Sequence, residues 1–181
     1  YGAWVGPFNY CTTASPPVCG GNFLDNGGTG LYTNSANVTT TICPVSATDV
    51  VTVTFTSFNT EANFDGLYVY NGNAVNPAQL IASANPPANV PGGLAGAYWG
   101  TVIPGPFTST AADGCLTFVF RSDPSVNRAG WESNVTCAPR PACATPNLLS
   151  TSALGYNTVT LSWVQPPNPN ATTATDFQVI A

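Results

Sequence analysis

The sequence predicts an all-β protein, an antiparallel β-sandwich stapled by disulfide bonds. Three observations support this fold class. Apolar and polar residues alternate with period two in several short runs, Gly and Pro interrupt those runs, and no stretch reads as a long amphipathic helix. With 44 % hydrophobic residues, the chain can also bury a core. Several strands of this kind favour two packed sheets.

Four runs show the alternation. In residues 50–58, Val51, Val53 and Phe55 share one face, and threonines occupy the other. β-Branched and aromatic residues fit a pleated, half-buried surface, so each run is interpreted as a strand. The four predicted strands are residues 50–58, 67–70, 115–120 and 131–135.

Residues 82–114 are richer in Gly, Pro and Ala than the segments around them. A loop of this length in a compact domain usually has a function. We expect one or two short strands inside it, with Tyr98 and Trp99 as packing anchors.

The ends of the chain differ from its middle. Residues 1–10 form an apolar leader or the end of a preceding module, and residues 139–146 contain three prolines, as in a stiff linker. Beyond the linker, TVTLSW with the following Val164, and DFQVIA at 176–181, predict further strands. Because so short a segment cannot bury a sandwich core alone, residues 147–181 are interpreted as the start of a second domain.

Six cysteines without CxxC spacing predict disulfides in an oxidising, extracellular compartment rather than a zinc site. Cys115 opens one predicted strand and Cys137 closes the next, so a hairpin would place them opposite each other. Cys19 and Cys43 bracket a Gly- and Asn-rich stretch that a bridge would close. The expected pairs are Cys19–Cys43, Cys115–Cys137 and, left open by the sequence, Cys11–Cys143.

The charge composition excludes several function classes. The chain has three arginines, no lysine and no histidine, for a net charge of −5. No basic stripe can form, which excludes nucleic acid as a partner and argues against anionic membrane surfaces. No apolar run is long enough to span a membrane. Without His or Lys, neither a Ser-His-Asp triad nor a Ser-Lys pair can exist, so we expect no enzymatic activity.

Four motifs, in order, resemble those of CUB domains, specifically the CUB-like modules of large secreted and surface proteins of bacteria. The resemblance covers about residues 11–138 and implies a CUB-like jelly roll. The motifs are CGGNFLDNGGTGLYTN (19–34), FTSFNTE (55–61), FDGLYVYNG (64–72) and GCLTFVFRSDPSVNRAGWESNVTC (114–137).

A shorter match lies in residues 144–181, which resemble the first strands of a fibronectin type III domain. The resemblance rests on Leu161-Ser162-Trp163 and on Phe177-Gln178-Val179. It implies an incomplete immunoglobulin-like β-sandwich after the linker.

The chain has only eight acidic residues, yet Glu61 and Asp65 lie four apart beside a predicted strand. In calcium-binding CUB domains, the positions that match Glu61, Asp65 and Asp123 supply carboxylates to one calcium ion. The resemblance further implies Asn127 as a ligand and Tyr32 as a supporting hydroxyl. Calcium takes six to eight oxygen ligands, which loops can provide. From spacing alone, the same acidic residues are also typical of ordinary turns.

Tyr68 and Tyr70 share a strand face, and Trp99 lies in the long loop. Together they form a candidate ligand surface, because aromatic rings can bind sugars or a protein partner. Alternatively, they cover the second face of the sandwich.

The sequence therefore favours a non-catalytic, extracellular binding or adhesion module of a large multidomain cell-surface protein, stabilised by calcium. The expected partners are a protein or glycan at the cell surface and other domains of the same longer chain. Two alternatives are an accessory targeting or spacer module of a secreted hydrolase, and a carbohydrate-binding module.

Overall fold

The computed structural model describes residues 17–140, together with the backbone of two strands at Asn147–Ser152 and Thr160–Val164. The chain divides into two compact units, Tyr1–Arg140 and Pro141–Ala181. The finer domain boundaries expected from the sequence stay predictions. In the described part of the chain, no helix has the length and apolarity needed to cross a membrane.

Within residues 17–140, seven strands form two antiparallel sheets. The first sheet has the strand order β1-β7-β3-β5, and the second has the order β2-β6-β4. The predicted all-β, disulfide-stapled sandwich is confirmed. The strands are β1 (Asn22–Leu24), β2 (Asn37–Ile42), β3 (Asp49–Asn59), β4 (Gly66–Asn71), β5 (Phe107–Thr108), β6 (Leu116–Arg121) and β7 (Gly130–Pro139).

Strand β3 shows why the alternating pattern was informative. Val51, Val53 and Phe55 are buried between the sheets, as their period-two spacing predicts. The pairing with β7 shifts register between Phe55 and Ser57, which marks a β-bulge. The extra residue moves the buried position to Phe58, so two phenylalanines three apart both face the core.

Aromatic rings fill the space between the sheets. The Phe23 ring centroid lies 4.8 Å from that of Phe118 and 5.5 Å from that of Trp131. Phe55 and Phe120 join the same cluster. Tilted and edge-on ring pairs of this kind add to the free energy gained by burial.

The chain between β4 and β5 covers the outer face of the second sheet. Val90 and Ala97 from this connection pack on Tyr68, Tyr70 and Val119, forming a second buried cluster. As expected, residues 82–114 contain a short strand, the two-residue β5. Side chains on both faces of β4 and β6 are therefore buried.

Two of the three disulfide pairs predicted from the sequence, Cys19–Cys43 and Cys115–Cys137, are wrong. The bridges are Cys19–Cys137 and Cys43–Cys115. The predicted Cys115–Cys137 pair assumed that β6 and β7 form a hairpin, but the two strands belong to different sheets. Each bridge instead continues the register of a strand pair, β1 with β7 and β2 with β6, because the cysteines stand opposite each other just beyond those pairs.

The predicted Cys19–Cys43 pair treated the stretch between the two cysteines as a Gly- and Asn-rich loop that a bridge would close. The stretch in fact contributes β1, β2 and the buried side chains of Phe23, Tyr32 and Ile42. Both observed bridges lie at the same end of the sandwich, where β2 and β7 end and β6 begins. The predicted Cys11–Cys143 pair and the leader at 1–10 lie outside the described residues.

Non-reduced peptide mapping is expected to recover Cys19 linked to Cys137 and Cys43 linked to Cys115. The Cys43→Ala/Cys115→Ala variant should lower the free energy of unfolding by about 4 kcal/mol, because a bridge between residues 72 apart strongly restricts the unfolded chain. Urea unfolding measures this change. Recovery of a Cys115–Cys137 peptide would contradict the two-sheet assignment of β6 and β7.

In the second unit, β8 (Asn147–Ser152) and β9 (Thr160–Val164) pair antiparallel. The strand predicted in TVTLSW is confirmed by β9. The strand predicted at 176–181 lies outside the described residues, and the resemblance to fibronectin type III stays a prediction.

Candidate metal centre

Two connections bring three carboxylates together at the end of the sandwich opposite the disulfides. Glu61 and Asp65 lie in the short turn between β3 and β4, and Asp123 follows β6 after one residue. One ligand oxygen from each lies within 4.8 Å of the other two. The structure therefore places the three predicted carboxylates in one cluster.

The turn that carries Glu61 and Asp65 is fixed by its own hydrogen bonds. The Asp65 amide donates to the Glu61 carbonyl at 3.1 Å, and the Thr60 hydroxyl donates to the Asp65 carbonyl at 3.1 Å. Thr60 in turn accepts a hydrogen bond from the Gly100 amide. These contacts hold both carboxylates at the start of β4.

Asp65 is the centre of the cluster. Its side chain is fully buried, at 0 % exposure. One carboxylate oxygen accepts from the Tyr32 hydroxyl at 2.5 Å, and the other accepts from the Asp123 amide at 2.8 Å. The Tyr32 hydroxyl also accepts from the Glu61 amide at 3.0 Å. Tyr32 thus joins the two acidic positions, in the place that the resemblance gave it.

A third connection, between β1 and β2, packs against the other two. The Ser35 amide donates to the Asp123 carbonyl at 2.6 Å, and the Ser122 hydroxyl donates to the Thr33 carbonyl at 2.8 Å. The Tyr32 amide donates to the Arg128 carbonyl at 3.1 Å. These bonds position the Tyr32 ring beneath the carboxylates.

Each of these three connections contains a non-glycine residue with a left-handed backbone. The φ angles are 55° at Ser35, 73° at Asn63 and 57° at Val126. Such conformations cost about 1–3 kcal/mol each, most of all for a β-branched residue such as valine. Backbone strain of this kind concentrates at functional sites.

The pKa values of Asp65 and Glu61 are both raised above their usual values. Burial is the main cause that raises the pKa of Asp65, opposed by the hydrogen bonds from Tyr32 and the Asp123 amide. Burial also raises the pKa of Glu61, and the neighbouring carboxylates of Asp123 and Asp65 raise it further. The Arg128 guanidinium offsets only part of this repulsion. A divalent cation would remove it.

The oxygen donors fit a hard cation. Glu61 Oε2 is buried and has no hydrogen-bond partner within residues 17–140. A buried carboxylate oxygen without a partner carries a large desolvation penalty, which a bound cation would offset. Three carboxylates and the carbonyls of loops are the oxygen ligands that calcium prefers. Asn127 is partly exposed in the same connection as Asp123, and its role as a ligand stays a prediction.

The prediction that Tyr68 and Tyr70 belong to an exposed ligand surface is wrong. Tyr68 and Tyr70 are each 1 % exposed, because the connection between β4 and β5 lies over them. The Tyr68 hydroxyl donates to the Leu94 carbonyl within that connection. Trp99 is partly buried against the same cluster. No sugar can stack on these two tyrosines unless the covering segment moves away.

No family model matches the sequence. The structure is similar to the full extracellular region of zebrafish Gpr126/Adgrg6, with 19 % identity and a TM-score of 0.50, over 70 % of this chain and 15 % of that chain. It is also similar to the CUB1-EGF-CUB2 domain of human MASP-1/3, with 17 % identity and a TM-score of 0.51, over 69 % of this chain and 42 % of that chain. The chain thus spans less than half the length of either structure. Likeness at such low identity concerns architecture alone, and the sandwich of residues 17–140 has the fold of CUB domains.

Proposed function

We propose that this chain is a non-catalytic, extracellular binding module whose acidic tip holds one calcium ion. The observation that carries the proposal is the cluster of Glu61, Asp65 and Asp123, in which Asp65 is buried and the ligand oxygens lie within 4.8 Å of one another. Tyr32 orients Asp65 toward its neighbours, and the unpartnered oxygen of Glu61 would gain a ligand. When bound, calcium would neutralise the three carboxylates and tie their connections together.

The cellular setting is part of the same proposal. Disulfides persist in oxidising compartments, and the two bridges support a secreted or cell-surface protein. Within a large multidomain surface protein of a bacterium, the sandwich would mediate adhesion or contacts with a protein or glycan. Its lack of His and Lys supports a binding rather than a catalytic role.

Isothermal titration calorimetry tests the site: calcium is titrated into protein from which a chelator has removed all divalent ions. One ion should bind per chain, and both Glu61→Gln and Asp123→Asn should weaken binding at least about tenfold, because each removes a charged ligand. The matched control is Glu132→Gln, which removes an exposed carboxylate on β7 outside the cluster. If the native protein gave no heat of binding, the proposal would be contradicted. The same holds if Glu132→Gln weakened binding as much as Glu61→Gln and Asp123→Asn do.

The effect of calcium on the melting temperature should grow as the pH rises from about 4 to about 7. The raised pKa of Asp65 means that the folded, calcium-free protein binds this proton more tightly than the unfolded chain does. Without calcium, the stabilising contribution of the proton is present at low pH and is lost as the pH rises through the folded pKa. Calcium needs ionised carboxylates, so its contribution increases over the same range.

Melting curves with calcium and with chelator, recorded across this range, measure the difference. In Asp65→Asn the difference should be small at every pH, because the central carboxylate that would bind calcium is gone. A calcium effect that is large and constant from pH 4 to 7 would contradict this prediction.

A further inference from the structure

An open groove runs between the two sheets at the side where β1 and β2 lie. Its lining includes Phe23, Val38, Phe118 and Trp131, which are core side chains, and Pro17. Its volume is about 750 Å³, far more than the roughly 30 Å³ share of one water molecule. Phe23, Phe118 and Trp131 are each at most 3 % exposed, so they form the floor of the groove, whereas Pro17 and Val38 are half-buried on its walls.

One wall of the groove is the outer edge of β2, which no other strand of the described residues pairs with. β2 is the outermost strand of its sheet, and among the described residues it pairs only with β6. The Ser122 amide donates to the Ala36 carbonyl, which makes these two residues a hydrogen-bonded pair in the same register. Hydrogen-bonded pairs alternate along antiparallel strands, so the amides of Thr39 and Thr41 point away from β6 toward the free edge. A further strand could pair there.

Trp131, one of the residues that line the groove, carries a donor for which the described residues provide no acceptor. The Trp131 side chain is 2 % exposed, and its indole Nε1 is buried with no hydrogen-bond partner among the described residues. A buried N–H group without an acceptor is costly, so it indicates that a polar group belongs beside it. A backbone carbonyl of an inserted segment is such a group.

We propose that the groove is the docking site of the chain's own N-terminal segment, residues 1–16, which pairs with the free edge of β2. Pro17 lines the groove, so the segment begins at the groove itself. Cys19 and Ile42, at the end of β2, lie at the same end of the sandwich. The segment is therefore attached where a strand along β2 would have to start.

The composition and length of the segment fit this site. Residues 1–16 carry no charged side chain, and Trp4, Val5 and Phe8 are large apolar residues. Sixteen extended residues span up to about 50 Å, and the six residues of β2 span roughly 20 Å, so the segment can turn and run along the whole edge. Attachment in the same chain gives it a high effective concentration over any partner in solution.

Amide hydrogen exchange in the full chain, read residue by residue by NMR, tests the docking. The comparison is between the native protein and the variant Trp4→Ser/Val5→Ser/Phe8→Ser. In the native protein the Thr39 and Thr41 amides should exchange at least about tenfold more slowly than in the variant, because they are hydrogen-bonded to the docked segment. The Trp131 indole N–H should show the same difference. The Thr40 amide, which faces β6, should stay protected in both proteins and reports that the sandwich is intact.

Two results would overturn the proposal. Thr39 and Thr41 amides that exchange freely in the native protein would show that no strand pairs with the edge, and equal protection in both proteins would show that something other than the apolar leader covers it. Protection that appears only at high protein concentration, together with dimers in sedimentation, would assign the groove to the leader of a second copy and overturn docking within one chain.

Discussion

With calcium present at about one hundred times its dissociation constant, replacing Asp65 by alanine is expected to lower the free energy of unfolding by about 5 kcal/mol. About 2.7 kcal/mol of this is the lost free energy of calcium binding. The remainder, about 2 kcal/mol, arises because the Tyr32 hydroxyl and the Asp123 amide lose their buried acceptor. In chelator, only this second part should be lost.

Urea unfolding with and without calcium separates the two contributions. Asp65→Asn keeps the shape of the side chain and one of its two acceptor oxygens, so it should cost less than alanine in chelator and yet abolish the response to calcium. Glu132→Ala removes an exposed acidic side chain and should change the free energy of unfolding by less than about 0.5 kcal/mol in either buffer. If the Asp65→Ala protein gained as much stability from calcium as the native protein does, the acidic tip would not be the calcium site.

The second large effect is expected at Gly130, where alanine should lower the free energy of unfolding by about 3 kcal/mol or more. A Cβ atom on Gly130 would lie 1.9 Å from Oδ2 of Asp25. That oxygen accepts from the Trp131 amide at 2.9 Å, while the other carboxylate oxygen accepts from the Gly27 amide at 2.7 Å. Asp25 is 7 % exposed, so displacing it would break its hydrogen bonds with the Trp131 amide of β7 and the Gly27 amide of the turn after β1.

The matched control is Gly28→Ala. Gly28 and Gly130 have nearly the same left-handed φ, 66° and 67°, but a Cβ atom on Gly28 would meet nothing within 4 Å. The control should therefore show only the backbone cost of a left-handed alanine, about 1–2 kcal/mol. Equal losses in the two variants, measured by urea unfolding, would mean that Asp25 adapts freely to the added methyl group.

The strands of the core could be predicted because the core enforces a period of two. β3, β4, β6 and β7 each contain a predicted run, since the gap between the sheets selects apolar residues at alternate positions. The bulge after Phe55 left no trace in that simple alternation. β1 and β2 escaped prediction because β1 is only three residues long and the inner face of β2 carries Val38, Thr40 and Ile42, a weak apolar signal.

The disulfides could not be predicted because their pairing depends on sheet membership. A local pattern shows that β6 and β7 are strands but not that the connection between them crosses from one sheet to the other. The burial of Tyr68 and Tyr70 could not be predicted for a similar reason. It depends on the path of a long connection over the face of the sheet that carries them. The acidic cluster could be predicted because Glu61 and Asp65 lie on one short turn. The resemblance of the fourth motif to CUB domains added Asp123 to them.

The two ends of the sandwich differ in how they would respond to mechanical load. The segments before Pro17 and after Arg140 both leave at the end that carries Cys19–Cys137 and Cys43–Cys115. Tension applied at Pro17 and Arg140 would enter and exit through this covalently crosslinked end. The acidic cluster lies at the opposite end of the sandwich, so its geometry would persist while the crosslinked end is under load.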